Sequence, residues 1–325
     1  MSAMVSPKNE APTARAATSK SSRAPRSGIH VALWIPTDAG GKLQRDLLTA
    51  HVEWLRAKGL HGILALGSTG EFARMNYDQR ETILAAVIEA AAPLPVIANI
   101  SSIRLQEVIA LGQSAERLGA VGVAIMPPPF FPLAQDDILE FFLRAAEKIS
   151  LPVYLYNYPE VTGNRIGLEV ISAFSDQCHM AGIKQSGNEL DYHHDLIQLG
   201  REKDFSVFTA ADPLLGKYLD LGADGCLGGM ANFAPEYMLE IYDASRAGRT
   251  ADASVSASRL AAIGSTTGAL CLPLNVRSAF EARGFDPGAF KTIVSPRTMA
   301  IYRSTVDQLR SRFAEWELPP FGTQS

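Results

Sequence analysis

The amino-acid sequence predicts an α/β protein, a (β/α)8 barrel of the TIM-barrel type with a C-terminal helical appendage. Short apolar runs alternate with amphipathic stretches of helical period eight times between residues 29 and 246. A pair of glycines recurs at 58–62, 118–122 and 221–225, which suits a helix end followed by a strand start. Eight consecutive units favour a closed barrel over a six-stranded doubly wound sheet, the alternative for such a pattern.

The elements follow in order from residue 29. Each strand is a near-continuous apolar run, which is typical of parallel strands buried on both faces. The second helix has a start signal, because Asn76 is followed by Gln79 in capping-box spacing. The predicted strands cover 30–35, 62–66, 95–99, 121–126, 153–156, 181–184, 205–209 and 225–228. Helical periods follow them at 43–55, 76–88, 103–118, 138–143, 167–176, 189–200, 213–221 and 235–246.

The chain divides into three predicted segments: a tail over 1–28, the barrel over 29–246, and a C-terminal helical region over 247–325. The last has helical patterns near 251–263, 268–284 and 296–315. The tail holds five basic residues against one acidic residue and almost no large apolar ones, so it is predicted to be disordered. Its composition weakly resembles a transit peptide and lacks the apolar core of a secretory signal. We expect a cytoplasmic protein, with organelle import as the alternative.

Composition excludes several classes of protein. The 325 residues are 47% hydrophobic and 20% charged, which is typical of a soluble globular chain with a sizeable core. No apolar stretch approaches the ~20 residues of a membrane-spanning helix. A formal charge of −4 argues against nucleic-acid binding. The three cysteines, Cys178, Cys226 and Cys271, are too few and too far apart for a disulfide scaffold or a CxxC zinc site.

No metal-binding motif is present in the sequence, and no metal site is predicted. The adjacent His193 and His194 lie between two aspartates on a predicted helix. Neighbouring positions on a helix do not face one ligand, so we expect both histidines on a solvated face.

Polar residues stand at three strand ends on the side where a (β/α)8 barrel carries its active site. They are G-S-T-G-E at 67–71 after the second strand, Y-N-Y-P at 156–159 on the fifth, and K-Q-S-G at 184–187 on the sixth. Because all three lie at the carboxyl ends of parallel strands, they meet at one end of the barrel. This end is therefore the predicted site.

Lys184 is the most informative residue. It follows Gly182 and Ile183 with strand periodicity, so its amine can point into the barrel mouth. There, desolvation disfavours the ammonium form and leaves a nucleophile for a ketone. A lysine that extends from the strand end to water is an equal alternative on position alone.

The 67–70 turn and Tyr156 carry weaker signals. Ser68, Thr69 and the backbone N–H groups between Gly67 and Gly70 suit a carboxylate or a phosphate, although linking turns of this composition are common. Tyr156 can move a proton if it faces inward, but a lone strand tyrosine is more often part of the core.

Together these residues resemble the dihydrodipicolinate synthase and N-acetylneuraminate lyase family, the Schiff-base pyruvate aldolases, over nearly all of residues 29–315. The 67–71 loop is similar to the family's G-[ST]-T-G-E loop, 156–163 to its YNxP…TG segment, and 182–184 to its GxK segment. The eighth strand and its loop, with A-D-G at 223–225 and A-N at 231–232, are also similar. The resemblance raises the weight of Lys184 as the nucleophile.

The resemblance implies a role for each residue. Lys184 would form an imine with the C2 ketone of pyruvate, Tyr156 would relay protons, and Ser68 and Thr69 would hold the carboxylate. An imine withdraws electrons from C3, so no cofactor and no metal are implied. The implied partners are pyruvate or another 2-oxo acid and an aldehyde, and the family implies a homo-oligomer, a dimer or a tetramer. Gly67 and Leu227 complete the expected substrate contacts.

Two departures from the family pattern bear on the substrate. The synthase branch has an arginine for the carboxylate of its aldehyde where this chain has Val161, and a tyrosine from a neighbouring subunit where this chain has Phe130. We expect Val161 and Phe130 to make a less polar distal pocket. The sialic-acid lyases of this family have polar residues after the seventh strand that hold a polyol. This chain retains only Asp212 as a candidate there.

The expected function is therefore a class I lyase that makes or breaks a C–C bond between pyruvate and an aldehyde. The substrate is a 4-hydroxy-2-oxo acid, either 4-hydroxy-2-oxoglutarate-like or a 2-keto-3-deoxy sugar acid. The alternatives are 4-hydroxy-tetrahydrodipicolinate synthase proper, a 2-keto-3-deoxy acid dehydratase, and a barrel that binds 2-oxo acids without turnover. A metal-dependent aldolase is disfavoured by the lack of a ligand cluster.

Overall fold

The structure is a computed structural model and describes residues 24–322. Eight parallel strands pair in chain order and close into a barrel, with β1 bonded to both β2 and β8. The predicted (β/α)8 architecture is confirmed. The strands are β1 Gly28–Ala32, β2 Gly62–Ala65, β3 Val96–Asn99, β4 Gly122–Ile125, β5 Val153–Asn157, β6 Met180–Gln185, β7 Ser206–Thr209 and β8 Gly225–Gly228.

Helices cover the outside of the barrel and continue beyond it. The capping box at Asn76 and Gln79 is confirmed, with both hydrogen bonds at 2.9 Å. The barrel helices are α1 Arg45–Ala57, α2 Tyr77–Ala91, α3 Leu105–Leu118, α4 Gln135–Ala146, the short α5 Pro159–Thr162, α6 Leu168–Gln177, α7 Leu190–Lys203, α8 Leu215–Leu221 and α9 Pro235–Arg246. The C-terminal helices are α10 Ser254–Thr267, α11 Leu274–Ala282 and α12 Pro296–Glu315. Among the helices described, none combines the length and the apolar character that a bilayer crossing needs.

The glycine pairs act as the sequence predicts. Gly119 and Gly222 end α3 and α8 at φ values of 95° and 106°, and Gly122 and Gly225 open β4 and β8. At Gly225 the reason is steric, because a Cβ would lie 2.0 Å from the carbonyl oxygen of Gly28. The ring of strands closes at this contact.

Side chains fill the inside of the barrel. Eight buried residues form this interior cluster, and His30 lies among them with its ring edge-on to Phe208 at 5.4 Å. The cluster contains Ala32, Leu64, Ile97, Ala124, Tyr154, Ala181, Phe208 and Leu227. The barrel is therefore a packed core, and ligand space is left only at its ends.

The last residues of the predicted tail contact the barrel. Residues 1–23 of the predicted disordered tail lie outside the described residues, and 24–27 form hydrogen bonds with the barrel floor. The Tyr154 hydroxyl donates to the Pro25 carbonyl at 2.6 Å, and the Ser206 hydroxyl donates to the Arg26 carbonyl at 2.7 Å. Ala24 packs on the interior cluster. Composition could not show these bonds, because their partners lie far away in the sequence.

The C-terminal region packs on the barrel through a few buried polar side chains. Arg283, the residue after α11, is 1% exposed and donates to the Phe233 carbonyl at 2.6 Å and to Glu236 at 2.8 Å. His51 of α1 lies edge-on to Phe280 at 4.7 Å. The predicted helix at 268–284 begins later, at Leu274, because Pro273 disfavours a helical conformation in the residue before it.

Candidate active site

A cavity of about 290 Å³ opens at the carboxyl ends of the strands. Strands β5 and β6, the turn after β2 and the loop after β8 all contribute to its wall. The lining residues are Ser68, Thr69, Tyr156, Tyr158, Glu160, Lys184, Ser186, Gly187, Asn188, Ala210, Leu227, Gly229 and Leu272. Hydroxyl and amide groups dominate this list.

Lys184 and Tyr156 lie side by side at the base of the cavity. They are register partners on β6 and β5, and the Lys184 Nζ lies 4.4 Å from the centre of the Tyr156 ring. Their exposed fractions are 4% and 1%. Among the described residues, the side-chain amine of Lys184 has no hydrogen-bond or ion-pair partner. Its amine therefore faces the cavity and an aromatic ring, and the alternative of a lysine extended into solvent is wrong.

The turn after β2 supplies the second polar wall. The Ser68 Oγ lies 3.2 Å from the Tyr156 hydroxyl oxygen. The Gly70 N–H donates to the Gly67 carbonyl at 3.1 Å, which makes the turn tight. A Cβ on Gly70 would meet Ile35 and the Leu33 carbonyl at 3.0 Å. The glycine therefore lets the turn pack closely against the end of β1.

Asp212 lies behind the cavity and does not line it. Its Oδ2 accepts from the Met230 N–H at 2.6 Å, and its Oδ1 accepts from the Cys226 thiol at 3.3 Å. Burial raises the pKa of Asp212, and the nearby Lys184 opposes this shift. Burial also raises the pKa of Cys226 well above its ordinary value, so this thiol stays protonated. Asp212 holds the loop after β8 and is not available to a polyol, which corrects its expected position.

Five of the predicted site residues meet in the cavity: Ser68, Thr69, Tyr156, Lys184 and Leu227. Gly67 is buried at the start of the turn and shapes it without lining the cavity. These placements agree with the sequence argument. The roles implied for these residues stay predictions.

Phe130 and Val161 do not line the cavity of the chain, contrary to the expected apolar distal pocket. They are 82% and 53% exposed. Phe130 has a left-handed backbone with φ 88°, and its N–H donates to the Thr162 carbonyl at 3.2 Å. This conformation turns the ring outward, where it meets Phe131 edge-on at 4.8 Å. The expected homo-oligomer stays a prediction.

His193 is not on a solvated face, which corrects another expectation. It is fully buried and lies against the Tyr218 ring with 4.0 Å between centroids, whereas His194 is exposed. Burial lowers the pKa of His193. Within residues 24–322, no group of three or more His, Cys, Asp or Glu side chains has the arrangement of a metal site.

Sequence reasoning missed part of the distal wall. Glu160 on α5, Asn188 after β6 and Leu272 from the C-terminal region line the cavity. Tyr158 stands beside Tyr156, with ring planes 13° apart and centroids 6.2 Å apart. Burial, with Tyr156 and Glu160 nearby, raises the pKa of Tyr158 to about 12, so its hydroxyl keeps its proton. The sequence contained a signal for two of these residues, because Tyr158 is the third position of the YNxP segment and Glu160 directly follows that segment.

The model of the Dihydrodipicolinate synthetase family matches residues 25–310 of this chain. The chain belongs to that family. It is therefore an enzyme, a carbon–carbon lyase of the dihydrodipicolinate synthase family, and Lys184, Tyr156 and the 67–71 loop lie on its matched segment.

Relatives in sequence carry more than one description. An uncharacterised DapA-like lyase of Pyrococcus horikoshii is 34% identical over 275 residues, which cover 84% of this chain and 94% of that protein. A 4-hydroxy-tetrahydrodipicolinate synthase of Methanothrix thermoacetophila is 28% identical over 269 residues, covering 83% and 91%.

A solved structure has the same fold. YagE, a prophage protein of the dihydrodipicolinic acid synthase family from Escherichia coli, has been solved in complex with pyruvate. It superimposes with a TM-score of 0.82 at 25% identity, covering 91% of this chain and all of YagE. These likenesses leave the aldehyde of the present enzyme open.

Proposed function

We propose that this chain is a class I aldolase that cleaves or forms the C3–C4 bond of a 4-hydroxy-2-oxo acid, with pyruvate as the common product or donor. The observation that carries the proposal is the meeting of a buried amine, a phenol and a serine hydroxyl in one cavity. The distances are 4.4 Å from the Lys184 Nζ to the Tyr156 ring centre and 3.2 Å between the Tyr156 and Ser68 oxygens.

The first step is imine formation at Lys184. The neutral amine adds to the C2 ketone, and loss of water leaves a C=N bond that is protonated at nitrogen. In cleavage, the C4 hydroxyl gives up its proton as the C3–C4 bond breaks, and the bond electrons move to the iminium nitrogen to form an enamine. Protonation at C3 and hydrolysis then release pyruvate and regenerate the amine.

Tyr156 is the proposed acid and base of these steps. Its ring centre lies 4.4 Å from the Lys184 amine, and its hydroxyl lies within hydrogen-bond distance of the Ser68 hydroxyl. The Ser68 hydroxyl can accept from Tyr156 and pass a proton outward, which lets the phenol change its protonation state twice in one turnover. The burial of Tyr156 keeps bulk water away from the enamine.

The 2-oxo acid carboxylate fits the turn after β2. Ser68 and Thr69 line the same cavity as Lys184, and the turn adds backbone N–H groups. Donors preorganised around a carboxylate orient the ketone toward the amine without a metal ion.

The distal wall supports a hydroxylated aldehyde without a second carboxylate. Glu160, Tyr158 and Asn188 can hydrogen-bond hydroxyl groups, whereas Lys184 is the one cationic side chain among the lining residues described. An aldehyde carboxylate would face Glu160 with Val161 in place of an arginine, so it would lack a charge-assisted partner. Of the two substrate classes expected, this favours a 2-keto-3-deoxy sugar acid over 4-hydroxy-2-oxoglutarate and over the synthase substrate.

Reductive trapping tests the proposal directly. Incubation with pyruvate and sodium borohydride should leave a stable adduct on Lys184, read by intact mass and peptide mapping. Lys184→Met should give no adduct and no turnover. If the wild-type protein gives no adduct, the mechanism is wrong. Full turnover by Lys184→Met would also exclude the mechanism. If the wild type shows no turnover and Lys184→Met binds pyruvate with unchanged affinity, the protein is a binding barrel.

A further inference from the structure

A buried ion pair lies next to the turn that lines the cavity. The Lys291 Nζ is 2.9 Å from the Glu71 Oε1, and the two side chains are 8% and 5% exposed. Glu71 closes the 67–71 loop, while Lys291 lies in the segment between α11 and α12. The C-terminal region therefore contacts the predicted carboxylate-binding loop through a charge that is almost fully desolvated.

The loop needs to be held, because its last residue and the residue just before it have a left-handed backbone without being glycine. Leu66 has φ 57° and Glu71 has φ 62°. Such conformations cost free energy and persist where the surroundings impose them. At Leu66 the carbonyl accepts from the Asn99 side chain at 2.7 Å. At Glu71 the backbone bonds are local, from its N–H to the Ser68 carbonyl at 3.1 Å and from the Arg74 N–H to its carbonyl at 3.0 Å. The hold on Glu71 from the C-terminal region is the bond from Lys291 to its side chain.

Lys291 also links Glu71 to the segment that follows β1. Its ammonium donates to the Ile35 carbonyl at 2.8 Å and lies 4.9 Å from the Trp34 ring centre. Desolvation lowers the pKa of Lys291, and Glu71 opposes that shift by its charge and its hydrogen bond. The second oxygen of Glu71 accepts from the half-exposed Arg74 at 3.1 Å.

The segment that carries Lys291 is anchored in turn. The Trp34 indole N–H donates to the Pro287 carbonyl at 3.0 Å, and the Ala289 N–H donates to the Thr37 carbonyl at 2.7 Å. Arg277 donates to the Gly288 carbonyl at 2.6 Å. Lys291 therefore reaches Glu71 from a segment bonded to both the barrel and α11.

We propose that Lys291 is a positioning residue of the active site. Through Glu71 it holds the 67–71 loop in the conformation in which Ser68 and Thr69 bind the carboxylate of pyruvate. This inference rests on the proposed function, since it uses the pyruvate imine at Lys184. It assigns the C-terminal region a part in substrate binding beyond the single wall residue Leu272.

The experiment compares four proteins by the rate of borohydride trapping as a function of pyruvate concentration. They are the wild type, Lys291→Met, the double variant Lys291→Met/Glu71→Gln, and the control Lys58→Met. The control breaks another Lys–Glu pair of 2.9 Å, with Glu236, which does not contact the loop. Unfolding by urea is measured for each protein alongside.

We expect Lys291→Met to raise the half-saturating pyruvate concentration about tenfold or more, while the trapping rate at saturation stays within about threefold, because Lys184 itself is unchanged. The double variant carries no unpaired buried charge, so it should be more stable than Lys291→Met. Its half-saturating pyruvate concentration should still be raised relative to the wild type. Lys58→Met should match the wild type in half-saturation.

A folded double variant with wild-type half-saturation would overturn the inference and leave the ion pair a purely structural role. The same conclusion follows if Lys58→Met shifts half-saturation as much as the Lys291 variants. Absence of any adduct in the wild type would instead overturn the proposed function, so the two failures are distinguishable.

Discussion

At the scale of single residues, the residues proposed to form the imine and the residue proposed to select the aldehyde lie on different parts of the chain. Lys184 and Tyr156 are held inside neighbouring strands by ladder hydrogen bonds, so their relative position is rigid. Glu160 is an exposed residue of the four-residue helix α5 at the cavity rim. Substitution at the rim is therefore expected to change selectivity without loss of imine formation.

Glu160→Gln tests this separation. Removing the carboxylate relieves its repulsion of an anionic aldehyde, so kcat/KM for glyoxylate with pyruvate should rise about 3- to 10-fold relative to glyceraldehyde, a modest range because the site is exposed to water. The measurement is the ratio of kcat/KM values for the two aldehydes in the aldol direction.

The matched control is Glu202→Gln, which removes the same charge near the end of α7, at the opposite end of the barrel. Its aldehyde ratio should equal that of the wild type. An equal shift in both variants would mean that net charge, and not the position of Glu160, sets the ratio.

At the scale of elements, the segment 24–27 closes the floor of the barrel. It receives hydrogen bonds from Tyr154 and Ser206, its Ser27 carbonyl lies 3.0 Å from the His30 Nε2, and Ala24 contacts the interior cluster. Without the segment these three side-chain groups lose their partners at the end of a packed core.

Two truncations measure the contribution of this segment. A protein that begins at residue 28 should be less stable than one that begins at residue 24 by about 2–4 kcal/mol, because three hydrogen bonds of about 1 kcal/mol each and some apolar contact are lost. Urea unfolding of the two proteins gives the difference. Equal midpoints would show that water replaces these bonds without cost.

At the scale of the whole molecule, three buried histidines, His30, His51 and His193, connect stability with pH. Burial lowers the pKa of His30 to about 4 and that of His51 to about 3, and the hydrogen bonds to Ser27 and Asn232 offset this only in part. Both stay neutral in the folded protein near pH 7. Unfolding exposes them to water, where they titrate near pH 6.5.

Stability should therefore fall as the pH drops below about 6.5. The unfolded chain binds protons that the folded chain does not, so His30 and His51 each lower the free energy of unfolding by about 2 kcal/mol between pH 7 and pH 5. His193 adds to the loss in the same direction. Urea unfolding at both pH values measures the sum. His51→Gln should show a smaller loss, whereas His194→Gln, at an exposed position, should show the wild-type loss; the same pH dependence in all three proteins would contradict this.

The architecture and the base of the site were predictable from the sequence because they depend on local patterns. Strand periods, the Asn76 cap and the glycines at helix ends each depend on residues close together in the chain. Lys184 and Tyr156 face one cavity because the strand order brings β5 and β6 together. The same order was implicit in eight successive units.

Features that join distant segments could not be predicted in this way. The Glu71–Lys291 pair spans 220 positions, and no period in either segment points to the other. The outward turn of Phe130 depends on a left-handed backbone that its residue type disfavours. His193 was misplaced for a similar reason, since its burial comes from the packing of α7 on Tyr218 and not from its own helix.

The closure of β1 on β8 also limits how copies of this chain can meet. A ring of strands has no free edge, so another chain cannot extend the sheet by pairing its backbone with it. Any assembly must be built from side chains on helices and loops, whose identity can change without disturbing the ladder inside. Association and catalysis can thus evolve on separate sets of residues.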